Sequence, residues 1–149
     1  MKGISMYFLG GRPGVAKRAK EKLQQRIPAL NIIGEYHGYF NDKDNAEIIG
    51  NINKCQPDIL LVGIGTPKQE MWIYRNRHRL NISLCLAVGG LFDFISGDIK
   101  RAPVWMLNCH LEWLYRLFQE PKRLWRRYLI GNLIFIWAAL KFRIKRALI

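Results

Sequence analysis

Three glycine-rich segments in this sequence follow apolar runs, and their residue types suit the binding of a phosphate-bearing molecule. They are residues 10–14 (GGRPG), 63–70 (GIGTPKQE) and 89–93 (GGLFD). Glycines let a phosphate approach the backbone closely, and free N–H groups at the start of a helix attract anions. The alternative is that the segments are ordinary turns between strands and helices. None of them matches a P-loop or the G-x-G-x-x-G fingerprint.

The second segment carries the more specific signal, because polar side chains follow its glycines directly. Thr66 and Pro67 are expected to begin a helix, with Lys68, Gln69 and Glu70 in its first turn. Three polar side chains beside helix N–H groups, after a buried strand, suit a site for a polar and anionic molecule.

Two further titratable residues follow predicted strands. Asp93 lies between Phe92 and Phe94, where a carboxylate is either a helix cap or a site residue with a raised pKa. His37 comes before GYF at 38–40, and a lone histidine in such a position is more often structural than functional.

The elements that position these residues alternate between strand and helix. We predict strands over 4–9, 30–36, 59–62 and 83–88, because each is a short apolar run bounded by glycine, proline or polar residues. Amphipathic helices are predicted over 15–27, over 42–53 with Asn41 or Asp42 as the cap, and after Thr66. This alternation predicts an α/β fold, a Rossmann-like parallel sheet of about four strands with flanking helices. Ligands of such sheets bind at the carboxyl ends of the strands.

Composition divides the chain of 149 residues into two parts. Half of the residues are hydrophobic, and 24 Lys and Arg against 11 Asp and Glu give a net charge of +13. Residues 1–99 hold 13 basic and 9 acidic side chains, whereas residues 100–149 hold 11 basic and 2 acidic ones. We therefore expect an α/β portion over 1–99 and a basic helical appendage over 100–149, with an anionic partner.

The appendage interleaves arginines with aromatic residues. Arg116, Arg123 and Arg126 alternate with tryptophans and tyrosines, and four of the five tryptophans lie after residue 100. Arginine forks suit a diphosphate, and aromatic residues beside basic ones suit a membrane surface. Nucleic acid is a third candidate partner, but no nucleic-acid-binding motif is present, and we expect none to bind.

Other features narrow the protein class. The longest apolar stretch, residues 128–140, has 13 residues, too few for the roughly 20 of a membrane-spanning helix. The three cysteines, Cys55, Cys85 and Cys109, lie far apart and outside any metal-ligand spacing. They indicate reduced thiols in a cytosolic protein rather than a disulfide framework or a zinc site.

Several motifs together resemble the WecG/TagA/CpsF family of bacterial glycosyltransferases. They are VGIGTPKQEMW at 62–72, AVGGLFDFISGDIKRAPVWM at 87–106 and LEWLYRLFQEPKRLWRRYL at 111–129, with FLGGRPG at 8–14 and GYF at 38–40. The resemblance implies transfer of an N-acetylmannosamine-type sugar from a UDP-sugar donor to a polyprenyl-diphosphate-linked acceptor. The resemblance places this reaction at the cytoplasmic face of the plasma membrane, in the synthesis of teichoic acid, exopolysaccharide or a related polymer. We expect no cofactor and no metal ion.

The same resemblance implies roles for individual residues. Gln69 matches the family's active-site glutamine. Asp93 is not matched by the resemblance, but it is the first candidate for a catalytic carboxylate if this chain alone carries out transfer. Arg116, Arg123 and Arg126 match arginines of an appendage that holds diphosphate and contacts the membrane. The donor-binding set comprises Gly10, Gly11, Gly63, Gly65, Pro67, Lys68, Glu70, Gly89, Lys100 and Arg101.

One departure from the family bears on activity. Family members are longer, with a preceding half that carries a catalytic aspartate and threonine, and this half has no counterpart in the sequence. We expect the chain alone to be weakly active or inactive, and to act with an upstream half or as a homo-oligomer. The alternative is a non-catalytic membrane-surface or partner-binding module that retains the fold.

Overall fold

Four parallel strands form one sheet in the spatial order 2-1-3-4, as expected for a Rossmann-like α/β fold. The computed structural model describes residues 3–125, 130–131, 135, 137 and 141, with the backbone alone for Arg123. All four predicted strands are confirmed to within two residues. They are β1 (Ser5–Gly10), β2 (Asn31–Tyr36), β3 (Ile59–Gly63) and β4 (Leu84–Ala87).

Helices follow every strand, and further helices follow the last one. The four that alternate with the strands are α1 (Val15–Arg26), α2 (Asn45–Cys55), α3 (Lys68–Asn76) and α4 (Leu91–Ser96). The later ones are α5 (Val104–Asn108), α6 (Glu112–Gln119) and α7 (Pro121–Trp125).

The chain divides into two compact units, Met1–Lys100 and Arg101–Ile149. The appendage predicted over 100–149 is helical where it is described, but most of its residues after 125 lie outside the described residues. Within the part that is described, none of the helices has both the length and the apolar composition needed to cross a bilayer.

Alternate residues of the strands enter two apolar layers, one on each face of the sheet. Tyr7 and Leu9 pack with Leu60 on the face covered by α2 and α3, whereas Phe8 packs with α1 and α4 on the other. Burial raises the pKa of the Tyr7 hydroxyl to about 12. Phe8 stacks on Phe92 of α4 with ring centroids 4.9 Å apart, so β1 is covered on both faces.

The start of α2 differs from the sequence prediction. Neither Asn41 nor Asp42 caps the helix, since Asp44 occupies the position before Asn45. A turn intervenes instead: the Asp44 carboxylate accepts a hydrogen bond from the Asn41 backbone at 2.9 Å, and the Asn41 side chain accepts one from the Lys43 backbone at 2.9 Å. Asn and Asp readily make such local bonds to the backbone, which delay the helix by three residues.

Two side chains of α1 hold the segment that follows α4. Arg18 donates two hydrogen bonds to the Asp98 carboxylate, at 2.9 and 2.7 Å, and Lys22 donates one to the Ser96 carbonyl at 2.6 Å. The hydrogen bonds and positive charge of Arg18 hold the pKa of Asp98 below its usual value. The end of α4 is thereby fixed on α1, and with it the position of Asp93.

We predict that Asp98→Asn lowers the free energy of unfolding at pH 7 by at most about 1 kcal/mol, since the ion pair is partly exposed. Because the folded-state pKa is depressed, the stabilisation is present above the unfolded pKa of about 3.9 and is lost as pH falls through the folded value. Urea unfolding from pH 7 to pH 2 should show the wild-type and variant curves converging. Asp42→Asn, at an exposed carboxylate, is the control; a constant difference at all pH values would contradict the assignment.

Candidate functional site

Backbone hydrogen bonds join the segments that follow the four strands into one continuous edge. Gly38, after β2, donates to the Gly11 carbonyl at 2.8 Å, and Gly11 donates to the Gly63 carbonyl at 3.1 Å. Val88, after β4, donates to the Val62 carbonyl at 2.8 Å. The three glycine segments predicted to share the carboxyl edge of the sheet therefore do lie side by side.

Two of the predicted donor-binding glycines are needed for packing of the protein against itself. A Cβ atom on Gly10 would overlap the Gly63 carbonyl, and one on Gly63 would lie 2.7 Å from the Gly89 carbonyl oxygen and 2.9 Å from the Phe92 ring. These distances are shorter than van der Waals contact, so a side chain at either position would push neighbouring turns apart. Gly10 and Gly63 thus allow the turns to pack closely against each other. The sequence had predicted that these glycines allow a phosphate to approach the backbone.

Gly89 differs from Gly10 and Gly63, because the space that a side chain would occupy there is free of the described atoms. Its φ of +58° lies in the left-handed region that favours glycine, and none of the described atoms lies within 4 Å of where a Cβ would stand. Of these glycines, Gly89 therefore has the space that a ligand needs for close approach to the backbone.

Gln69 is the central side chain of this edge, and it is buried, with only 3% of its surface exposed. Its Oε1 accepts a hydrogen bond from the Gly89 backbone N–H at 3.0 Å, and its Nε2 donates to Glu70 Oε1 at 2.9 Å. Nε2 also lies 3.4 Å from the Thr66 hydroxyl. The amide therefore connects the turn after β3 with the turn after β4.

A partly buried chain of three hydrogen bonds orients the helix that carries Gln69. The Trp72 indole N–H donates to Asn45 Oδ1 at 2.7 Å, Asn45 donates to Asn76 Oδ1 at 3.0 Å, and Asn76 donates back to the Trp72 carbonyl at 2.8 Å. Buried polar groups without partners are costly, so these three bonds favour one rotation of α3 against α2. That rotation turns Gln69 inward and leaves the neighbouring residues of the turn outside.

The residues on either side of Gln69 in the first turn of α3 are exposed, although Gln69 itself is buried. Pro67 precedes the helix, and Lys68 and Glu70 are on the surface. The backbone N–H of Gln69 bonds to the Gly65 carbonyl at 3.0 Å, which starts the helix. Lys68 thus stands at the helix N-terminus with its cationic side chain in solvent.

Asp93 is buried in the first turn of α4, with 8% of its surface exposed. Gly90 holds the cap position, so Asp93 is not the helix cap that was one of its two interpretations. Its backbone carbonyl accepts hydrogen bonds from the Ile99 N–H and the Ser96 hydroxyl, both at 3.1 Å. A carboxylate near a helix N-terminus is stabilised by the helix dipole.

His37 follows β2 at the same edge, and one of its ring nitrogens is buried without a hydrogen-bond partner among the described residues. This nitrogen is Nδ1, and the ring lies against Tyr36 with centroids 4.5 Å apart. An unsatisfied buried nitrogen costs roughly 1–3 kcal/mol, so His37 is a candidate for a contact made by a bound molecule. The sequence offered no signal for this beyond its place after a strand.

The remaining predicted residues belong to the second unit or its boundary. Lys100 ends the first unit, and Arg101 begins the second; both are exposed. Arg116 is half-buried on α6, the backbone of Arg123 is in α7, and Arg126 lies outside the described residues. The roles implied for these residues remain predictions.

Metal-binding groups do not cluster in the part of the chain that the structure covers. No three His, Cys, Asp or Glu side chains come together there as ligands of one ion. Cys55, Cys85 and Cys109 are free thiols, and burial raises the pKa of Cys85.

Comparison with known proteins gives a family match over almost the entire chain. The model of the glycosyl transferase WecG/TagA/CpsF family matches residues 1–148. Two curated relatives, from Bacillus spizizenii (strain W23) and Bacillus subtilis (strain 168), are 37% and 36% identical over 124 residues. Both bear the name N-acetylglucosaminyldiphosphoundecaprenol N-acetyl-beta-D-mannosaminyltransferase.

The matched stretch covers 83% of this chain but only 47% of each relative, so the chain spans about half the length of the curated relatives it matches. Among solved structures, the RcsB response regulator of Salmonella typhimurium aligns over 66% of this chain and 49% of its own. Its TM-score of 0.37 and 17% identity are too low to support an argument.

We predict that Gln69→Glu destabilises the fold by about 1–3 kcal/mol, because it replaces a donor with a second carboxylate against Glu70. The double variant Gln69→Glu with Glu70→Gln restores one amide and one carboxylate in contact and should recover a substantial part of the loss. Chemical denaturation of the two single variants and the double variant forms the measurement. Losses that simply add in the double variant would contradict the role of this contact.

Proposed function

This chain belongs to the WecG/TagA/CpsF family of glycosyl transferases, and from that premise we propose that it forms the nucleotide-sugar-binding half of such an enzyme. The proposed donor is UDP-N-acetylmannosamine, and the proposed acceptor is a polyprenyl-diphosphate-linked N-acetylglucosamine. The observation that supports it most is the continuous edge made by the three glycine segments, with Gln69 buried between two of them. The names of the two Bacillus relatives support the choice of substrates.

The proposed reaction is an inverting displacement at the anomeric carbon of the sugar. The acceptor hydroxyl oxygen forms the new bond, the bond from the anomeric carbon to the UDP oxygen breaks, and its electron pair leaves on the diphosphate. A general base takes the hydroxyl proton. Negative charge grows on the departing diphosphate, so fixed N–H groups and cations near it lower the barrier.

Groups of the first unit suit the donor side of this reaction. The open backbone at Gly89 leaves room for the donor, and Gln69 holds the Gly89 N–H in a fixed orientation. Lys68, exposed at the start of α3, supplies a positive charge at the same edge. His37 has a buried nitrogen to offer to a bound molecule. In this proposal Gln69 acts chiefly by positioning, since protein groups already engage both ends of its amide.

The catalytic base is the part of the mechanism that this chain supports least. The family resemblance puts it in the half of the relatives that this chain does not span. Asp93 is the candidate within the chain, because its carboxylate is buried in the first turn of a helix after β4. We therefore propose that efficient transfer needs the other half.

The second unit is proposed to bind the membrane surface and the diphosphate. Its described helices expose large aromatic side chains, with 62% of Trp105 and 75% of Phe118 accessible. Trp113 and Trp125 are also exposed, and Arg116 lies between them in sequence. Exposed aromatic and basic residues together are typical of the interface between water and lipid headgroups. A peripheral location at the inner face of the plasma membrane is part of this proposal.

The same observation favours a second candidate function. A chain that exposes these aromatic residues could bind membranes or a partner protein without performing any transfer. The two functions differ in their need for UDP-sugar, because a membrane-binding module needs no nucleotide.

The decisive test is a chimaera in which this chain replaces the matching 124 residues of the Bacillus subtilis relative. We expect the chimaera to transfer labelled sugar from UDP-N-acetylmannosamine to lipid-diphosphate-N-acetylglucosamine, and the 149-residue chain alone to give at most trace product. Within the chimaera, Gln69→Ala should lower transfer at least tenfold per folded molecule, because the Gly89 turn loses its anchor. Gln25→Ala, at an exposed glutamine of α1, is the matched control.

A folded chimaera that makes no product would contradict the proposal. The second candidate would gain support if the chain bound anionic vesicles in a salt-sensitive manner but did not bind UDP. If the chain is a transferase, Arg116→Glu with Arg123→Glu should lower both transfer and vesicle binding. Unchanged transfer would show that these arginines of the appendage take no part in the reaction.

A further inference from the structure

One face of the sheet becomes progressively more exposed toward β4. Phe8, Leu61 and Leu86 are in register across β1, β3 and β4 and point to the same side, the side covered by α1 and α4. Phe8 is 1% exposed, Leu61 is half-buried and Leu86 is 42% exposed. The apolar layer that covers β1 therefore does not extend over β4.

The neighbouring row of residues repeats the gradient. Met6 and Ile59 are half-buried, and Leu84, in register with Ile59, is 45% exposed. Two rows thus leave four aliphatic side chains at least partly uncovered on adjacent strands. We name these four the β3–β4 patch: Ile59, Leu61, Leu84 and Leu86.

The length of α4 explains why this side is open. With six residues, α4 is only about 9 Å long. It packs along α1, and its Phe92 covers Phe8 of β1 rather than β4. On the opposite side of β4, by contrast, Cys85 packs against the core under α2 and α3. Parallel sheets normally have both faces covered, and the described residues do not supply this layer over the β3–β4 patch.

The edge of β4 adds a second unpartnered feature. In the strand order β2-β1-β3-β4, one side of β4 pairs with β3 and the other is the border of the sheet formed by the described residues. An apolar edge strand with a free border readily pairs or packs with further polypeptide. Leu84 and Leu86 lie on this border strand and also on the exposed face of the sheet, so the unpaired border and the apolar patch coincide at these two residues.

We propose that the β3–β4 patch is the docking surface for polypeptide equivalent to the half of the Bacillus relatives that this chain does not match. The matched residues make up 47% of each relative, so each contains slightly more chain outside the match than within it. A segment from that half, with an apolar face directed at Leu84 and Leu86, supplies the missing layer. The surface serves this purpose whether the segment is on the same chain or another. This inference stands independently of the transfer reaction.

The test uses the 149-residue chain and, as probe, the separately produced part of the Bacillus subtilis relative outside the matched stretch. We expect saturable binding by isothermal titration calorimetry. Leu84→Lys with Leu86→Lys should weaken it at least tenfold, because two charged side chains would be buried at the contact. Ile27→Lys is the matched control, since Ile27 is similarly exposed at the end of α1, and it should leave the affinity unchanged.

A second measurement keeps the test decisive if the lysine variant fails to fold. Hydrogen exchange of the wild-type chain should show that residues 84–87 become protected when the probe is added. Absence of binding, binding unaffected by the lysine substitutions, or unchanged exchange over 84–87 would each overturn the proposal. Self-association of the chain that disappears in the lysine variant would also overturn it, because the occupant would then be a second copy.

Discussion

The buried amide of Gln69 joins the turn after β3 to the turn after β4, in addition to the close packing of Gly63 against the Gly89 carbonyl. Its oxygen accepts the Gly89 N–H, and its nitrogen donates to Glu70, so each end of the amide is engaged. Removal of this side chain takes away the acceptor of the Gly89 N–H, and an unsatisfied backbone donor costs free energy. The direction of the Gly89 backbone, and hence the space beside it, depends on this one side chain.

Other contacts bring the same edge together from different directions. The Trp72, Asn45 and Asn76 hydrogen bonds orient α3, and through it Gln69. On the other face, Arg18 and Lys22 of α1 hold the end of α4. The close packing of glycine turns between these anchors leaves little freedom for adjustment. We infer that the site is largely preformed by the fold, as expected for a ligand at the carboxyl edge of a parallel sheet.

The sequence predicts the strands well, because each is a short apolar run between glycines, prolines or polar residues. It predicts the placement of Lys68, Gln69 and Glu70 in one helical turn, because Thr66 and Pro67 mark the start of a helix directly after β3. It does not predict that Gln69 is buried while its neighbours are exposed, since this depends on how the hydrogen bonds of Asn45 and Asn76 orient α3. The predicted cap of α2 was wrong, because the Asp44 carboxylate accepts a hydrogen bond from the Asn41 backbone and forms a turn before the helix. The exposure of β4 cannot be predicted either, because an apolar run does not show whether its strand lies at the centre or at the border of the sheet.

We propose that the turns after β1, β3 and β4 form one donor-binding edge. The most direct measurement is the change in backbone amide NMR shifts of the 149-residue chain when UDP is added. We predict that the largest changes fall on residues 10–14, 63–70 and 89–93, with Gly89 among them. Saturable changes concentrated elsewhere, for example on α2 or on α6, would contradict the claim, as would the absence of any change at millimolar UDP.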